Sequence, residues 1–381
     1  MEVKDQFNAD VFSIMKFNNN TTASEYSLGS NKFINVVVNQ SEMNMEECYG
    51  NFIHYLLDNN YKIISQFLFG NIQQKILNKE IVSGYFDSIN WPLSVISQKG
   101  KMWGTLITAI KTDNLKTIYS EDKPLGNYYD DKHSEYVILG DILPPPEIPS
   151  KELGTSAVFH LIESTLEKVN MNFTNVVRTW FYLDDLLNWY REFNIERTNY
   201  FNSRNVFNTL IPASTGIGVA NIDSRHLLSA AFAVKPKSGR VKIKAVPSPL
   251  QCPAVDYKSS FSRAVEIEHP NYTNLIISGS ASIDLDGQST NIGDTYKQIE
   301  LTMDVVYGIL NSRGMNWGNV TKAIAYFKNR NDIEYYYNYC DRNNILSMPL
   351  VMIEADVCRQ ELLFEIEMDA IKINKVSAAV L

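Results

Sequence analysis

An internal repeat restricts the fold of this chain more than any other feature of its sequence. Residues 171–182 read MNFTNVVRTWFY and residues 315–326 read MNWGNVTKAIAY, so the two segments align position for position at one constant offset. A fixed period within a chain indicates that one structural unit is built more than once. We therefore interpret the 381 residues as copies of a single unit.

The segments around the repeat predict the secondary structure of this unit. In each copy, apolar residues at helical spacing come before the repeated segment, which itself reads as a strand. A polar and aromatic helix is then expected at residues 189–200 and at 333–343. An apolar strand closes each copy, at residues 227–234 and 362–371.

A fainter copy of the same pattern occupies the N-terminal third of the chain. An amphipathic stretch at residues 46–57 precedes an apolar strand at 61–69, and two closing strands follow at 92–96 and 102–110. The repeated unit is therefore β-β-α-β-α-β-β, with about 110 residues in each copy.

We divide the chain into units at residues 1–115, 116–240 and 241–381, and we expect polar linkers at 113–129 and 235–260. A sheet with helices on one side leaves its other side to be covered. Three copies in one chain can cover each other by closing a pseudo-threefold ring. We therefore predict an α+β pseudo-trimer, with possible sites at the interfaces between units.

The charge balance bears on the choice of partner. The sequence has 35 Lys and Arg against 43 Asp and Glu, a net charge of -8, which repels nucleic acid and anionic lipid. A small anionic ligand would need its own arginines or backbone N–H groups. We therefore expect no nucleic acid partner.

Cysteine spacing and hydropathy bear on the location. The cysteines are Cys48, Cys252, Cys340 and Cys358. They form no CxxC pair and no cluster with histidine, which argues against a zinc site and a disulfide framework. Neither a secretory leader nor an apolar run of about 20 residues is present in the sequence. These features predict no membrane contact and a cytoplasmic location.

Four segments of the third unit resemble the RidA/YjgF family. They are 260–265 (SFSRAV), 277–282 (ISGSAS), 293–298 (GDTYKQ) and 362–367 (LLFEIE). Members of this family have a chorismate-mutase-like fold and form homotrimers with a site at each subunit interface. The resemblance implies three RidA-like units in one chain, which permits a monomer or a weak homo-oligomer.

The order of segments resembles the chorismatase family, single-chain relatives of RidA, more closely. The segments are 177–183, 212–218, 257–263 and 356–359, followed by Glu365. The resemblance implies hydrolysis of chorismate, a small cyclic dicarboxylate. The products would be pyruvate and a hydroxybenzoate or a dihydroxycyclohexadiene carboxylate, and neither a metal nor an organic cofactor would be needed.

Two alternatives come from the wider superfamily. One is a RidA-like hydrolase of enamines or imines, and the other is a non-catalytic RidA-like protein that binds a small carboxylate. The deaminases grip their substrate with an arginine fifteen residues before the final-strand glutamate. Leu350 occupies that position here and cannot donate to a carboxylate, which argues against the deaminase alternative.

Glu365 and Cys358 are the catalytic candidates. Alternation along the closing strand places Glu365 on the face opposite the unit's core, where another unit would bury it. Burial raises the pKa of a carboxyl, so Glu365 would hold a proton as a general acid must. It matches the acid of the chorismatases, and Cys358 matches a cysteine of the subclass that makes a hydroxybenzoate. The alternatives are a solvated glutamate and a buried structural cysteine.

The substrate-binding candidates combine cations, aromatic walls and small residues. Arg263 matches an arginine of the family's Phe-x-Arg-Ala segment and is the stronger carboxylate candidate. Arg178 shares a strand face with an aromatic ring and a hydroxyl, although its repeat partner Lys322 also fits a periodic surface cation. The full set is Arg263, Arg178, Tyr182, Thr215, Gly216, Tyr257, Gly279 and Ala281.

Overall fold

The computed structural model describes residues 12–41, 45–98 and 103–374. Within these residues the chain forms three six-stranded sheets, each with two α-helices. The predicted α+β fold with three repeated units is confirmed.

The helices and strands follow the same sequence in each unit. The first unit contains β1 (Phe12–Lys16), β2 (Thr21–Leu28), β3 (Asn31–Ser41), α1 (Met45–Asp58), β4 (Lys62–Gly70), α2 (Ile72–Ser83), β5 (Leu93–Ser97) and β6 (Trp103–Lys111). The second contains β7 (Leu115–Ser120), β8 (Lys123–Asp130), β9 (Ser134–Ile142), α3 (Lys151–Glu167), β10 (Val176–Leu183), α4 (Tyr190–Ser203), β11 (Ala213–Gly218) and β12 (Leu227–Pro236). The third contains β13 (Lys242–Val246), β14 (Ala264–Glu268), β15 (Tyr272–Ala281), α5 (Thr295–Ser312), β16 (Val320–Phe327), α6 (Ile333–Arg342), β17 (Leu350–Glu354) and β18 (Phe364–Ile373).

Strand order is also the same in the three sheets. It is β1-β2-β3-β6-β4-β5 in the first, β7-β8-β9-β12-β10-β11 in the second and β13-β14-β15-β18-β16-β17 in the third. The last strand in each order pairs in parallel with its neighbour, as β10 does with β11. A helix connects the two strands of each parallel pair, because parallel strands require a crossover.

Each unit has one strand more than predicted, at the sheet edge that β1, β7 and β13 occupy. The expected linker at 113–129 contains β7 and most of β8, and the linker at 235–260 contains β13. The prediction of continuous linkers is therefore wrong. Edge strands such as β7 and β13 alternate exposed and half-buried residues along much of their length, so they carry many polar side chains and read like loops.

Each sheet packs its helices on one face and the other two sheets on the opposite face. Helix-facing side chains form a separate apolar core in each unit, such as Met303, Val306 and Phe364 in the third. The inward faces of all three sheets share a further cluster that includes Phe67, Trp180 and Tyr326. This arrangement buries both sides of every sheet, as the ring interpretation requires.

Residues at equivalent positions of the repeat meet near the centre of the ring. Tyr182 and Tyr326 align in the two repeat segments, and their hydroxyls lie 3.4 Å apart. Units two and three also share backbone hydrogen bonds, because Gly218 and Asp356 exchange N–H···O bonds of 2.7 and 2.9 Å. The edge of the second sheet is thereby fixed against the third unit.

Across the described ranges, no helix has both the length and the apolar character needed to cross a membrane.

Candidate active site

A cavity lies at the interface between the second and third units. Helix α4 and strand β11 contribute one wall, and strands β15 and β18 contribute the other. Seven of the ten predicted site residues line this cavity: Gly216, Tyr257, Arg263, Gly279, Ala281, Cys358 and Glu365. The interface between units therefore brings together residues that are up to about 150 positions apart in the chain.

Glu365 lies at the base of the cavity on β18, paired with Ala281 of β15. Its side chain is only 5% exposed. The pKa of the Glu365 carboxyl is raised to about 8, mainly by burial and also by the neighbouring Glu367 carboxylate, while Arg178 and Arg263 act in the opposite direction. A carboxyl with this pKa is mostly protonated at neutral pH and can act as an acid.

Gly279 provides the space that the Glu365 carboxyl occupies. A Cβ atom at position 279 would lie 1.9 Å from Glu365 Oε1, closer than atoms can approach, and 3.2 Å from Thr215 Cγ2, a tight contact. The Gly279 N–H donates to Thr215 Oγ1 at 3.0 Å. The glycine therefore allows the acid to pack directly against the backbone of β15.

Cys358 lines the cavity beside the acid. Burial raises the pKa of its thiol to about 12, and the nearby Glu365 adds to this increase. Cys358 is therefore a neutral thiol at neutral pH, whereas a nucleophilic cysteine needs a lowered pKa. In this arrangement it contributes a small, weakly polar wall rather than a nucleophile.

Two buried arginines line the cavity. Arg263 is 3% exposed, and its Nε donates to the Cys252 carbonyl oxygen at 2.9 Å. Arg197 of α4 is 1% exposed, and its Nη2 donates to Asn194 Oδ1. Neither forms an ion pair with a carboxylate of the described residues, and Arg263 Nη2 and Arg197 Nε have no hydrogen-bond acceptor there. A buried cation without a partner is costly, so the pair is suited to an anionic ligand.

The sequence analysis did not identify Arg197. It lies in a polar and aromatic helix, where it reads as one of several surface charges. A signal was nevertheless present, because Phe193, Arg197 and Phe201 follow one another at i, i+4 spacing and all three are buried. A cation within the apolar stripe of an amphipathic helix is a candidate for a buried site.

Tyr257 separates the cavity from a wider surface cleft. Its ring lies between the guanidinium groups of Arg263 and Arg359, which are 5.4 and 5.1 Å from the ring centroid. Tyr190, Tyr257, Ser259 and Cys358 line both the inner cavity and the outer cleft. The cleft therefore provides the route by which a ligand would reach Glu365.

Three of the predicted binding residues lie behind the cavity wall. Arg178 donates from Nη2 to Glu367 Oε2 and to Thr215 Oγ1, both at 2.5 Å. The Tyr182 hydroxyl faces Tyr326 at the centre of the ring. Arg178, Thr215 and Tyr182 are no more than 2% exposed, and a direct contact with substrate stays a prediction for all three.

The equivalent position of the second unit lacks the acid. Tyr326 pairs with Glu365 across β16 and β18, and its repeat partner Tyr182 pairs with Leu228 across β10 and β12. Leu228 is fully buried in the shared apolar cluster. The closing strand of the second unit therefore cannot supply a proton at this position.

Leu350, at the position of the deaminase arginine, is buried in the apolar core of the third unit. It offers no donor to a carboxylate.

Comparison with known proteins identifies similar curated proteins and solved structures. No protein-family model matches the chain. A chorismatase of Streptomyces rapamycinicus is 24% identical over 247 residues, which cover 58% of this chain and 71% of the relative. A 3-hydroxybenzoate synthase of Streptomyces hygroscopicus is 25% identical over 272 residues, which cover 64% of this chain and 70% of the relative.

Among solved structures, a crystal structure of chorismatase has a TM-score of 0.61 with 16% sequence identity. The match covers 81% of this chain and 92% of that one. At this identity the structural similarity shows a shared fold.

Proposed function

Because this chain belongs to the chorismatase family, we propose that it is a hydrolase that cleaves chorismate to pyruvate and a hydroxybenzoate. The observation that carries this proposal is the position of Glu365, a buried carboxyl that is protonated at neutral pH, in a cavity with two unpaired arginines. An acid that faces a site for carboxylates fits a reaction that begins with protonation of an anionic substrate.

Glu365 is the proposed general acid. Chorismate carries an enol ether, and a proton from Glu365 to its terminal methylene carbon forms a C–H bond and leaves an oxocarbenium ion. Water can add to the cation, and the resulting hemiketal breaks its bond to the ring oxygen, which releases pyruvate and leaves a ring diol. Alternatively the neighbouring ring hydroxyl attacks the ring carbon that carries the ether, pyruvate leaves with the ether oxygen, and the ring epoxide that forms rearranges to the hydroxybenzoate. In both routes the proton lost by water or by the hydroxyl returns to Glu365. Interception by water accounts for the alternative product, a dihydroxycyclohexadiene carboxylate.

Arg197 and Arg263 are the proposed ligands of the substrate carboxylates. Chorismate is a dianion, and the two guanidinium groups provide two positive charges that no carboxylate of the described residues neutralises. Gly216, Ala281 and Phe261 provide small or apolar surface for the ring. The two arginines thereby supply positive charge to the carboxylates, and the apolar surface excludes water from the ring.

The assembly state and the location of the protein are also proposals. Since both walls of the cavity come from one chain, we expect a monomer to be sufficient for activity. All four cysteines are free thiols, which supports a reducing compartment such as the cytoplasm.

The test is to incubate the protein with chorismate, measure pyruvate with a coupled dehydrogenase and separate the ring product by chromatography. Glu365→Gln should remove pyruvate release almost completely. Glu334→Gln on the exposed side of α6 is the matched control and should keep it. Full activity of Glu365→Gln would reject the assigned acid.

Absence of pyruvate from the unaltered protein would reject the hydrolase. If chorismate still bound in that case, the chain would instead be a carboxylate-binding protein.

A further inference from the structure

A second buried glutamate lies next to the proposed acid. Glu367 is two residues beyond Glu365 on β18, so both side chains lie on the same face of the sheet. Glu367 is 4% exposed. Its Oε2 accepts from Arg178 Nη2 at 2.5 Å and its Oε1 accepts from Trp180 Nε1 at 2.6 Å. Both carboxylate oxygens are thus held by donors from the second unit.

Arg178 is committed to the protein by several contacts. Besides Glu367, its guanidinium donates to Thr215 Oγ1 at 2.5 Å and to the Ile277 carbonyl oxygen at 3.4 Å. It also stacks on the Trp180 ring, 4.8 Å from the centroid. A guanidinium with these partners is fixed in place against the Glu367 carboxylate.

The charges that act on Glu365 come from three elements. Glu367 of β18 repels a negative charge on Glu365, while Arg178 of β10 and Arg263, next to β14, attract one. The other titratable side chains of the cavity are Tyr190, Arg197, Tyr257 and Cys358. Burial raises the pKa values of Tyr257 and Cys358 to about 12 and that of Tyr190 above its usual value. Titration of this cavity between pH 5 and about 9 therefore belongs to Glu365.

When the second and third units are compared, a glutamate at the position of Glu367 occurs only in the unit that has the acid Glu365. Ile324 pairs with Glu367, and its repeat partner Trp180 pairs with Ala230. The second unit thus has Leu228 and Ala230 where the third has Glu365 and Glu367. The absence of both carboxylates from the second unit is expected if Glu367 acts on Glu365 and is not needed for the fold of a unit.

We propose that Glu367 and Arg178 are positioning residues. Their fixed ion pair ensures that, of the two glutamates, Glu365 carries the proton. In this role Arg178 acts through Glu367, in place of the direct substrate contact predicted from the sequence. This inference rests on the proposed function of Glu365 as general acid. Without the ion pair, two neighbouring carboxyls would compete for one proton, as in sites that hold two carboxylates.

The experiment measures the pH profile of kcat/KM for pyruvate release in four variants. A general acid is active below its pKa, so activity is lost as pH rises through that value. Glu367→Gln removes the repelling charge and keeps Arg178, so the midpoint of this loss should move down by about one pH unit or more. Arg178→Met should move the midpoint up, and the double variant should return it toward that of the unaltered protein.

Arg178→Lys retains the charge and should keep a midpoint close to that of the unaltered protein. If Arg178→Met does not fold, Glu367→Gln and the double variant still decide the question, because both avoid an unpaired buried carboxylate. A uniform loss of activity at every pH, with the midpoint unchanged in Glu367→Gln, would overturn the proposal.

A second measurement separates this proposal from the proposed function. The infrared band of the protonated Glu365 carboxyl can be followed against pH without substrate, with Glu365→Gln as the reference spectrum. A shift of that titration in Glu367→Gln supports the positioning role even if no pyruvate is released. An unshifted titration rejects the role even if chorismate is hydrolysed.

Discussion

Glu365 Oε1 occupies the space that a side chain at Gly279 would fill, because a Cβ there would lie 1.9 Å from this oxygen. The acid and the glycine come from neighbouring strands of the same sheet, and the glycine faces Thr215 of the other unit. The position of the proton donor therefore depends on a residue that has no side chain.

We expect Gly279→Ala to reduce kcat for pyruvate release by about 100-fold or more, because the carboxyl must move away from its productive position. Gly239→Ala is the matched control, since a Cβ there has no atom within 4 Å. Circular dichroism should show both variants folded. Wild-type activity of Gly279→Ala would show that the acid can move without loss of function.

The raised pKa of Glu365 predicts a pH-dependent stability. Its carboxyl has a pKa of about 8 in the folded protein, against 4.5 as its ordinary value. Folding therefore favours the protonated form, and stability is lost as pH rises through this window. Between pH 5 and pH 9 the wild type should lose about 4 kcal/mol of unfolding free energy that Glu365→Gln, which has no carboxyl at this position, keeps.

Urea unfolding at the two pH values measures this difference, and Glu334→Gln serves as the exposed control. An equal effect of Glu365→Gln at both pH values would contradict the raised pKa.

Arg197 should strengthen the binding of chorismate but lower the stability of the folded protein. Arg197→Leu removes a buried cation that has no carboxylate partner in the described residues, so the free energy of unfolding should stay equal or rise by about 1 kcal/mol. The same change should raise KM for chorismate by about 100-fold, because a charged hydrogen bond to a carboxylate is lost.

Arg204→Leu provides the contrast. Arg204 lies outside the cavity and pairs with the buried Glu163 at 2.6 Å, so its loss should leave KM unchanged. Equal KM values for Arg197→Leu and the wild type would remove Arg197 from the substrate site.

Cys358→Ala should change the ring product more than the rate. The thiol lines the cavity beside Glu365, and the smaller alanine leaves room for a water molecule near the cation. We expect pyruvate release to remain within about tenfold of the wild type. The ratio of dihydroxycyclohexadiene carboxylate to hydroxybenzoate, measured by chromatography, should increase. An unchanged ratio would mean that Cys358 only packs.

Period-two alternation and the repeat were sufficient to predict the main features of the fold and one part of the site. The alignment of the segments around Tyr182 and Tyr326 predicts repeated units, and strand alternation alone places Glu365 opposite its own unit's core. These inferences work because side-chain direction along a strand is a local property of the backbone. The edge strands β7 and β13 were not predicted, because their many polar side chains make these segments read like loops.

Only the tertiary structure decided which side chains meet across the interface between units. Arg178 is 189 residues from Glu367 in the chain, and nothing near either residue indicates that they pair. Arg197 likewise becomes a candidate ligand only when α4 docks beside the third unit. Contacts of this kind depend on how three separately formed sheets pack, and the free energy of that packing is spread over their whole inward faces.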